Sequence, residues 1–180
     1  MDSNSTYKLF RPVLDDLPLL ESFYTTTLLD TFQQEQINST EEISSLVKGL
    51  INSIQKDLDQ QGKSEFYLIL KKGQEIIGTA AFGQTNSIIY EHCTDDYPEI
   101  KSVYIHPLSQ KQGWGKFLFL AIVKEMNQRK LSHFYLDTGY QHAAKYWQQH
   151  LGKPKLILKD YWGQDQHHYI WKQNLHQILG

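Results

Sequence analysis

Between Glu99 and Asp137 the chain reads strand, short loop, apolar helix, strand, and that order restricts the fold more than any other feature. Glu99 to His106 is a β-rich run stopped by Pro107. Gly113 to Arg129 follows, and its Phe117, Leu118, Ala121, Ile122 and Met126 predict a helix buried on more than one side. His133 to Asp137 predicts the next strand. A right-handed crossover of this kind makes its two strands parallel. Upstream, Glu65 to Lys71 and Gln74 to Gln84 flank a Lys72-Gly73 turn and predict an antiparallel meander with the Glu99 strand. A parallel pair joined to a meander is a mixed sheet.

The remaining elements fit around it. Tyr7 to Phe10 predicts an opening strand ended near Pro12, after a loose polar end over Met1 to Thr6. Asp15-Asp16 stands before Leu17 to Tyr24, where acidic residues favour a helix start. Ile43, Leu46, Val47, Leu50, Ile51, Ile54 and Leu58 form one continuous helical stripe, with a capping box expected from Ser39 and Glu42 and a stop from Gln60-Gln61-Gly62. Gln141 to Leu151 predicts a helix ended by Gly152 and Pro154, and Leu156 to Lys159 and His168 to Trp171 predict two closing strands. The sum is one α+β domain over residues 1–180. It is layered α/β/α, a mixed and mostly antiparallel sheet of about six or seven strands with about four helices.

Charge and composition remove several classes of function. With 18 Lys+Arg against 20 Asp+Glu there is no basic excess of the kind a nucleic-acid binder carries. The longest apolar run, Phe117 to Val123, is far short of the roughly 20 residues of a membrane span. The N-terminus lacks the apolar stretch of a signal peptide, and the single cysteine, Cys93, forms no internal disulfide, so the cytoplasm is the expected compartment. Eight histidines include no His-x-x-x-His pair, and no metal is expected.

Gln110-Lys111-Gln112-Gly113-Trp114-Gly115 is the sharpest local signal, because it joins a strand to the first turn of a buried helix. Glycines there let backbone N–H groups approach an anion, and the helix start adds unpaired donors and the positive end of its dipole. Lys111 and Lys116 add countercharge. The alternative is a helix start that needs glycine for a tight turn. The spacing matches neither the P-loop nor the dinucleotide fingerprint.

With Val103-Tyr104-Ile105-His106-Pro107 before it, this loop resembles the Gln/Arg-x-x-Gly-x-Gly/Ala signature of the GNAT superfamily of acyl-CoA-dependent N-acetyltransferases, and the order of elements agrees along the whole chain. The resemblance implies an acetyl-CoA co-substrate, with Val103, Tyr104 and Ile105 along the pantetheine arm. It implies Gln110, Lys111, Gln112, Gly113, Trp114, Gly115 and Lys116 at the pyrophosphate. It further implies acetyl transfer to a small-molecule or peptide amine by direct attack, in a monomer or homodimer.

Such a reaction needs a neutral amine, a stabilised oxyanion and a proton for the leaving thiolate. Glu99, eleven residues before Gln110, stands where some members of the family keep a base. It also reads as a solvated strand-end carboxylate or a partner of Lys101 on the same strand face. A backbone N–H near Val103 or Tyr104 is the expected oxyanion donor. For the acid the chain departs from the family pattern: the position four before Gly152 holds Gln148, and Tyr146 is the nearest candidate, with Tyr140 or water as substitutes. Tyr146 and Trp147 lie about 100° apart on a helix, so they do not share a face, and both rings also fit a core role. This departure motivates the alternative of a non-catalytic acyl-CoA-binding or regulatory module. Glu91-His92-Cys93 is set aside as a nucleophile set because neighbours on an extended chain face opposite ways. Asp160-Tyr161-Trp162-Gly163 reads as an aromatic turn that either walls an acceptor pocket or covers the sheet edge. The acidic stretch Glu91, Asp95, Asp96 and Glu99 favours a cationic acceptor.

Overall fold

The computed structural model describes residues 6–180, so the loose end expected over Met1 to Thr6 lies outside the described residues except at Thr6. Seven strands form one mixed sheet: β1 (Tyr7–Phe10), β2 (Glu65–Lys72), β3 (Glu75–Gly83), β4 (Glu99–Ile105), β5 (His133–Thr138), β6 (Leu156–Gly163) and β7 (Gln166–Asn174). Their hydrogen-bonded order is β1-β2-β3-β4-β5-β7-β6. β4 and β5 are parallel, with Glu99 opposite Tyr135, as the crossover requires. Among the described residues there are six α-helices: α1 (Leu17–Gln34), α2 (Thr40–Gln60), α3 (Ser87–His92), α4 (Trp114–Gln128), α5 (Gln141–Leu151) and α6 (Leu175–Leu179). Two of them, the short α3 and α6, exceed the expected four. No helix among the described residues is long and apolar enough to cross a membrane.

The chain contacts divide into two units, Met1–Phe82 with Ser102–Ile122 and Gly83–Lys101 with Val123–Gly180. In the first, Leu20, Tyr24 and Leu28 of α1, Ile54 of α2, and Tyr67 and Ile69 of β2 are fully buried. The α2 stripe holds at Ile43, Val47 and Ile54, while Leu46 is left exposed. Asp57 near the end of α2 is completely buried and ties three elements: its Oδ1 meets Arg11 Nη2 at 2.5 Å, and its Oδ2 accepts the Tyr67 N–H at 3.0 Å. Arg11 also donates to the Tyr67 carbonyl and lies over the Phe66 ring.

Two caps differ from expectation. Ser39 holds the N-cap position of α2, yet its side chain makes no cap hydrogen bond, so the capping box is not made. Asp16 precedes α1 in helical φ/ψ and does not cap it; its carboxylate accepts from the Val13 N–H and from Lys71 Nζ, which anchors the entry to α1 on β2. The stop of α2 is as read, with Gln61 and Gly62 in the left-handed region and the Gly62 N–H closing on the Asp57 carbonyl. The hairpin turn sits one residue later than expected, at Gly73-Gln74, with Gly73 at φ 62°.

In the second unit β7 lies between β5 and β6 and is antiparallel to both, with Tyr135 opposite Lys172 and Leu156 opposite Ile170. Phe134, Tyr135, Ile170, Trp171 and Leu175 form its interior. Both closing strands run longer than read, and the expected aromatic turn at Asp160–Gly163 is strand, carried past an irregularity in the β6–β7 register between Leu158 and Gly163. The connection after β3 is not extended throughout. Asn86 starts α3, its Oδ1 accepting the Ile89 N–H at 3.0 Å. Farther along, Asp95 accepts from Lys172 Nζ at 2.8 Å and from the Tyr135 hydroxyl at 2.9 Å. Those two bonds hold its carboxyl below the usual carboxylate range, the Lys172 contact leading.

Candidate active site

In the first unit, the part of β4 from Ser102 on runs into a 3₁₀ turn at Pro107–Ser109 and then into the start of α4, with Gln110 to Gly113 between them. The N–H groups of residues 113–116 stand at the start of α4, where helix geometry leaves four donors without an intrahelical acceptor. The Phe117 N–H closes the first helical bond, on the Gly113 carbonyl. Gly113 adopts φ +87°, and a Cβ built on it meets no atom within 4 Å. The glycine therefore opens space before a row of donors and a positive dipole end. Lys111, at φ 59°, and Lys116 are exposed beside it.

The other loop residues divide by what their side chains touch. Gln110 turns back, its Nε2 donating to the Ile105 carbonyl at 3.2 Å and reaching Asp30 at 3.4 Å, which ties the loop to the end of β4. Gln112 reaches the Leu108 carbonyl. Trp114 packs on Tyr7, ring centroids 4.3 Å apart, so what it offers an anion is its backbone N–H. Val103, Tyr104 and Ile105 are half-buried at the end of β4, with Tyr104 edge-on to Tyr24. Just before them Ser102 takes φ 54°, a left-handed residue inside a strand, which marks a bulge-like break in the alternation of β4.

In the second unit Glu99 is 4% exposed, which removes the reading of a solvated strand-end carboxylate. Its Oε2 accepts the Asn86 backbone N–H at 2.8 Å and its Oε1 the Asn86 side-chain amide at 3.3 Å. The same amide donates to Asp137 Oδ2 at 2.7 Å. That oxygen also meets His168 Nε2 at 2.9 Å, and His168 Nδ1 accepts from Trp162 Nε1 at 3.1 Å. An indole N–H only donates, so the hydrogen of the His168 ring is assigned to Nε2 and points at Asp137. Lys101, the other partner considered for Glu99, donates to the Gln84 carbonyl.

Tyr146 lies on α5, half-buried and stacked on His150 with centroids 4.2 Å apart. Burial pushes its hydroxyl above the usual tyrosine value. Trp147 is buried, and Tyr140 holds the N-cap position of α5. Glu91 and His92 end α3 and Cys93 follows at its C-cap, so the extended-chain reason for setting them apart does not hold; His92 instead bonds the Ile88 carbonyl within its own helix. Among the described residues, no group of three His, Cys, Asp or Glu side chains is arranged to hold a metal ion. The residues that sequence reasoning missed as parts of a site are Asn86, Asp137 and His168; Trp162 entered it only within the aromatic turn Asp160–Gly163. Their one local signal is Asn86, a good helix N-cap type directly before Ser87.

A family model described as "Acetyltransferase (GNAT) family" matches residues 26–153. A search of curated proteins finds no match. Among solved structures, the PaiA N-acetyltransferase of Thermoplasma acidophilum in complex with coenzyme A superposes with a TM-score of 0.68 at 17% identity, covering 93% of this chain and 99% of that one. YncA of Salmonella typhimurium, solved with its cofactor acetyl-CoA, gives 0.68 at 16% identity, with 95% of each chain covered. The ribosomal-protein-S18-alanine N-acetyltransferase of Escherichia coli gives 0.63 at 15%, covering 94% of each. Identities this low speak for the fold.

Proposed function

Because the chain belongs to the GNAT acetyltransferase family, we propose that it transfers an acetyl group from acetyl-CoA to a primary amine of a small molecule or peptide, by direct attack and in the cytoplasm. The observation that carries this reading is the loop before α4: a left-handed glycine facing open space, ahead of the donors of residues 113–116 and flanked by two lysines. Such a cradle fits a pyrophosphate in charge and in room. When bound, acetyl-CoA supplies an activated acetyl group as a thioester.

The chain's own residues then have these roles. Residues 110–116 hold the phosphates, chiefly by backbone N–H groups, with Gln110 fastening the loop. Val103, Tyr104 and Ile105 of β4 offer backbone groups to the pantetheine arm, and an N–H of Val103 or Tyr104 donates to the charge that develops on the acetyl oxygen. Glu99 takes the proton of the acceptor ammonium, freeing the nitrogen lone pair. The amine nitrogen bonds the acetyl carbon and the carbon–sulfur bond breaks; Tyr146 gives its hydroxyl proton to the departing thiolate and is reprotonated, through water, by the proton the acylated nitrogen sheds, while Glu99 returns its own proton to solvent. The products are the N-acetyl amine and the free thiol of CoA. The acidic stretch around Glu91 to Glu99 favours a cationic acceptor.

Calorimetric titration with acetyl-CoA and with CoA, followed by thiol release against a panel of primary amines, tests the reading. Binding with turnover on at least one amine is expected. Glu99→Gln is expected to lower the rate by about 10²–10⁴-fold, the usual range for a lost general base. Absence of acetyl-CoA binding overturns the proposal, and an unchanged rate in Tyr146→Phe passes the acid role to Tyr140 or water.

A further inference from the structure

Glu99 does not stand alone in its unit. Asn86 supplies two donors to its carboxylate, one from the backbone and one from the side chain, and shares the other amide hydrogen with a second carboxylate, Asp137. The orientation of that amide is set independently, because Oδ1 is committed to the Ile89 N–H at the start of α3. Asp137 is fixed in turn by His168, and His168 by Trp162. The side chains of Asp137 and His168 are 9% and 5% exposed. Two inward carboxylates are thus joined through one neutral amide, at the root of a helix.

An amide neither gains nor loses a proton near neutrality, so this chain is not a proton wire. What it does is electrostatic and geometric. Donors on a carboxylate favour its charged form, and a second carboxylate nearby opposes it. Asp137 is linked to Glu99 through Asn86, with His168 behind it; Tyr135 stands opposite Glu99 on β5, and Lys101 lies two residues along the same strand.

We propose that Asn86 is a positioning residue for Glu99: its two donors fix the carboxylate in one orientation as the ionised base, and they shield it from the charge of Asp137. This rests on Glu99 being the base of the acetyl transfer proposed above. The aspartate variant makes a sharp probe, because aspartate caps a helix as well as asparagine does while replacing the bridging donor by a third acceptor. In Asn86→Asp the α3 cap survives and three carboxylates meet.

The test is a carbon-13 titration of the Glu99 side-chain carboxyl in glutamate-labelled protein, its signal identified by loss in Glu99→Gln, alongside acetyl-transfer rates for each variant. In Asn86→Asp the Glu99 midpoint is expected to rise by about one to three pH units, the usual effect of a like charge replacing a donor. The rate below the new midpoint falls with it, and raising the pH restores it. Asn86→Ser keeps a cap oxygen for α3 but removes the side-chain donor to Glu99, so it is expected to raise the midpoint too, by less than the aspartate variant, and provides a second reading should Asn86→Asp fail to fold. A Glu99 midpoint unmoved in both variants overturns the positioning role, whatever happens to the rate. A rate unchanged in Glu99→Gln instead overturns the base assignment, and with it the catalytic meaning of Asn86, even where the midpoints move.

Discussion

Replacing Gly113 with leucine separates the strain a side chain adds to the backbone from the room it takes from a ligand. At φ +87° an L-residue is disfavoured by about 1–2 kcal/mol. Beyond its chain neighbours no protein atom lies within 4 Å of the new Cβ, so the Cβ itself adds no clash to that figure. For a chain of this length such a loss lowers Tm by roughly 2–8 °C, at about 2–4 °C per kcal/mol. Gly73, at φ +62° on the β2–β3 turn, also has nothing within 4 Å of a built Cβ and makes a matched control. Gly73→Leu should cost a similar amount and leave the loop before α4 intact. CoA affinity, read by calorimetry on both variants, should then part company. A side chain in the cradle keeps the phosphates from the N–H donors of residues 113–116. The expected loss is at least about a hundredfold for Gly113→Leu, equivalent to about 2.7 kcal/mol, and none for Gly73→Leu. Equal affinity in the two variants refutes the loop assignment. A Tm loss for Gly113→Leu far beyond that of Gly73→Leu refutes the reading of open space.

Three further outcomes follow from the packing. Asp57→Ala strips the Arg11 guanidinium of its carboxylate and leaves the Tyr67 N–H buried; Arg11 is 35% exposed and regains water, so the expected loss in urea unfolding is about 3 kcal/mol, at the low end for a broken buried pair, and a loss under about 1 kcal/mol counts against the anchor. Tyr67 is pushed up to about 12, first by burial, so the folded state holds its proton more tightly than the unfolded chain does. Its contribution is whole below pH 10 and declines as the pH rises through 12; Tyr67→Phe should flatten that alkaline limb in unfolding experiments, and an unchanged limb argues against it. In Gly139→Ala the new Cβ would stand 2.5 Å from Trp162 Nε1, so the indole must shift and its bond to His168 break; a tryptophan emission spectrum identical to that of the parent protein sinks that expectation.

What the sequence disclosed is what local pattern controls. The crossover from β4 through α4 to β5, the α2 stripe with its Gln61-Gly62 stop, and the bounds of α5 are all set by residues within a few turns of one another. Phe117 shows where that logic thins: it lies in an apolar run yet is 46% exposed, because α4 is not covered on every side. Ser39 and Asp16 have the right identities for caps, but Ser39 makes no cap bond and the Asp16 carboxylate is held by Val13 and Lys71 instead. α3 is six residues long with adjacent isoleucines, too short for a period to show. The polar network was out of reach for another reason. Asn86 and Asp137 are 51 residues apart and Asp137 and His168 are 31, a juxtaposition made by strand order, which no spacing in the chain encodes.

The placement of β7 between β5 and β6 bears on how the chain is made. β6 leaves the ribosome before the strand that seats it, and β5 keeps an unpaired edge until the same moment. Throughout that interval two strand edges rich in leucine, tyrosine and tryptophan are open to other nascent chains. Synthesis halted near Asp165 would prolong that exposure indefinitely, and the product would meet chaperones or aggregate before its sheet was ever complete.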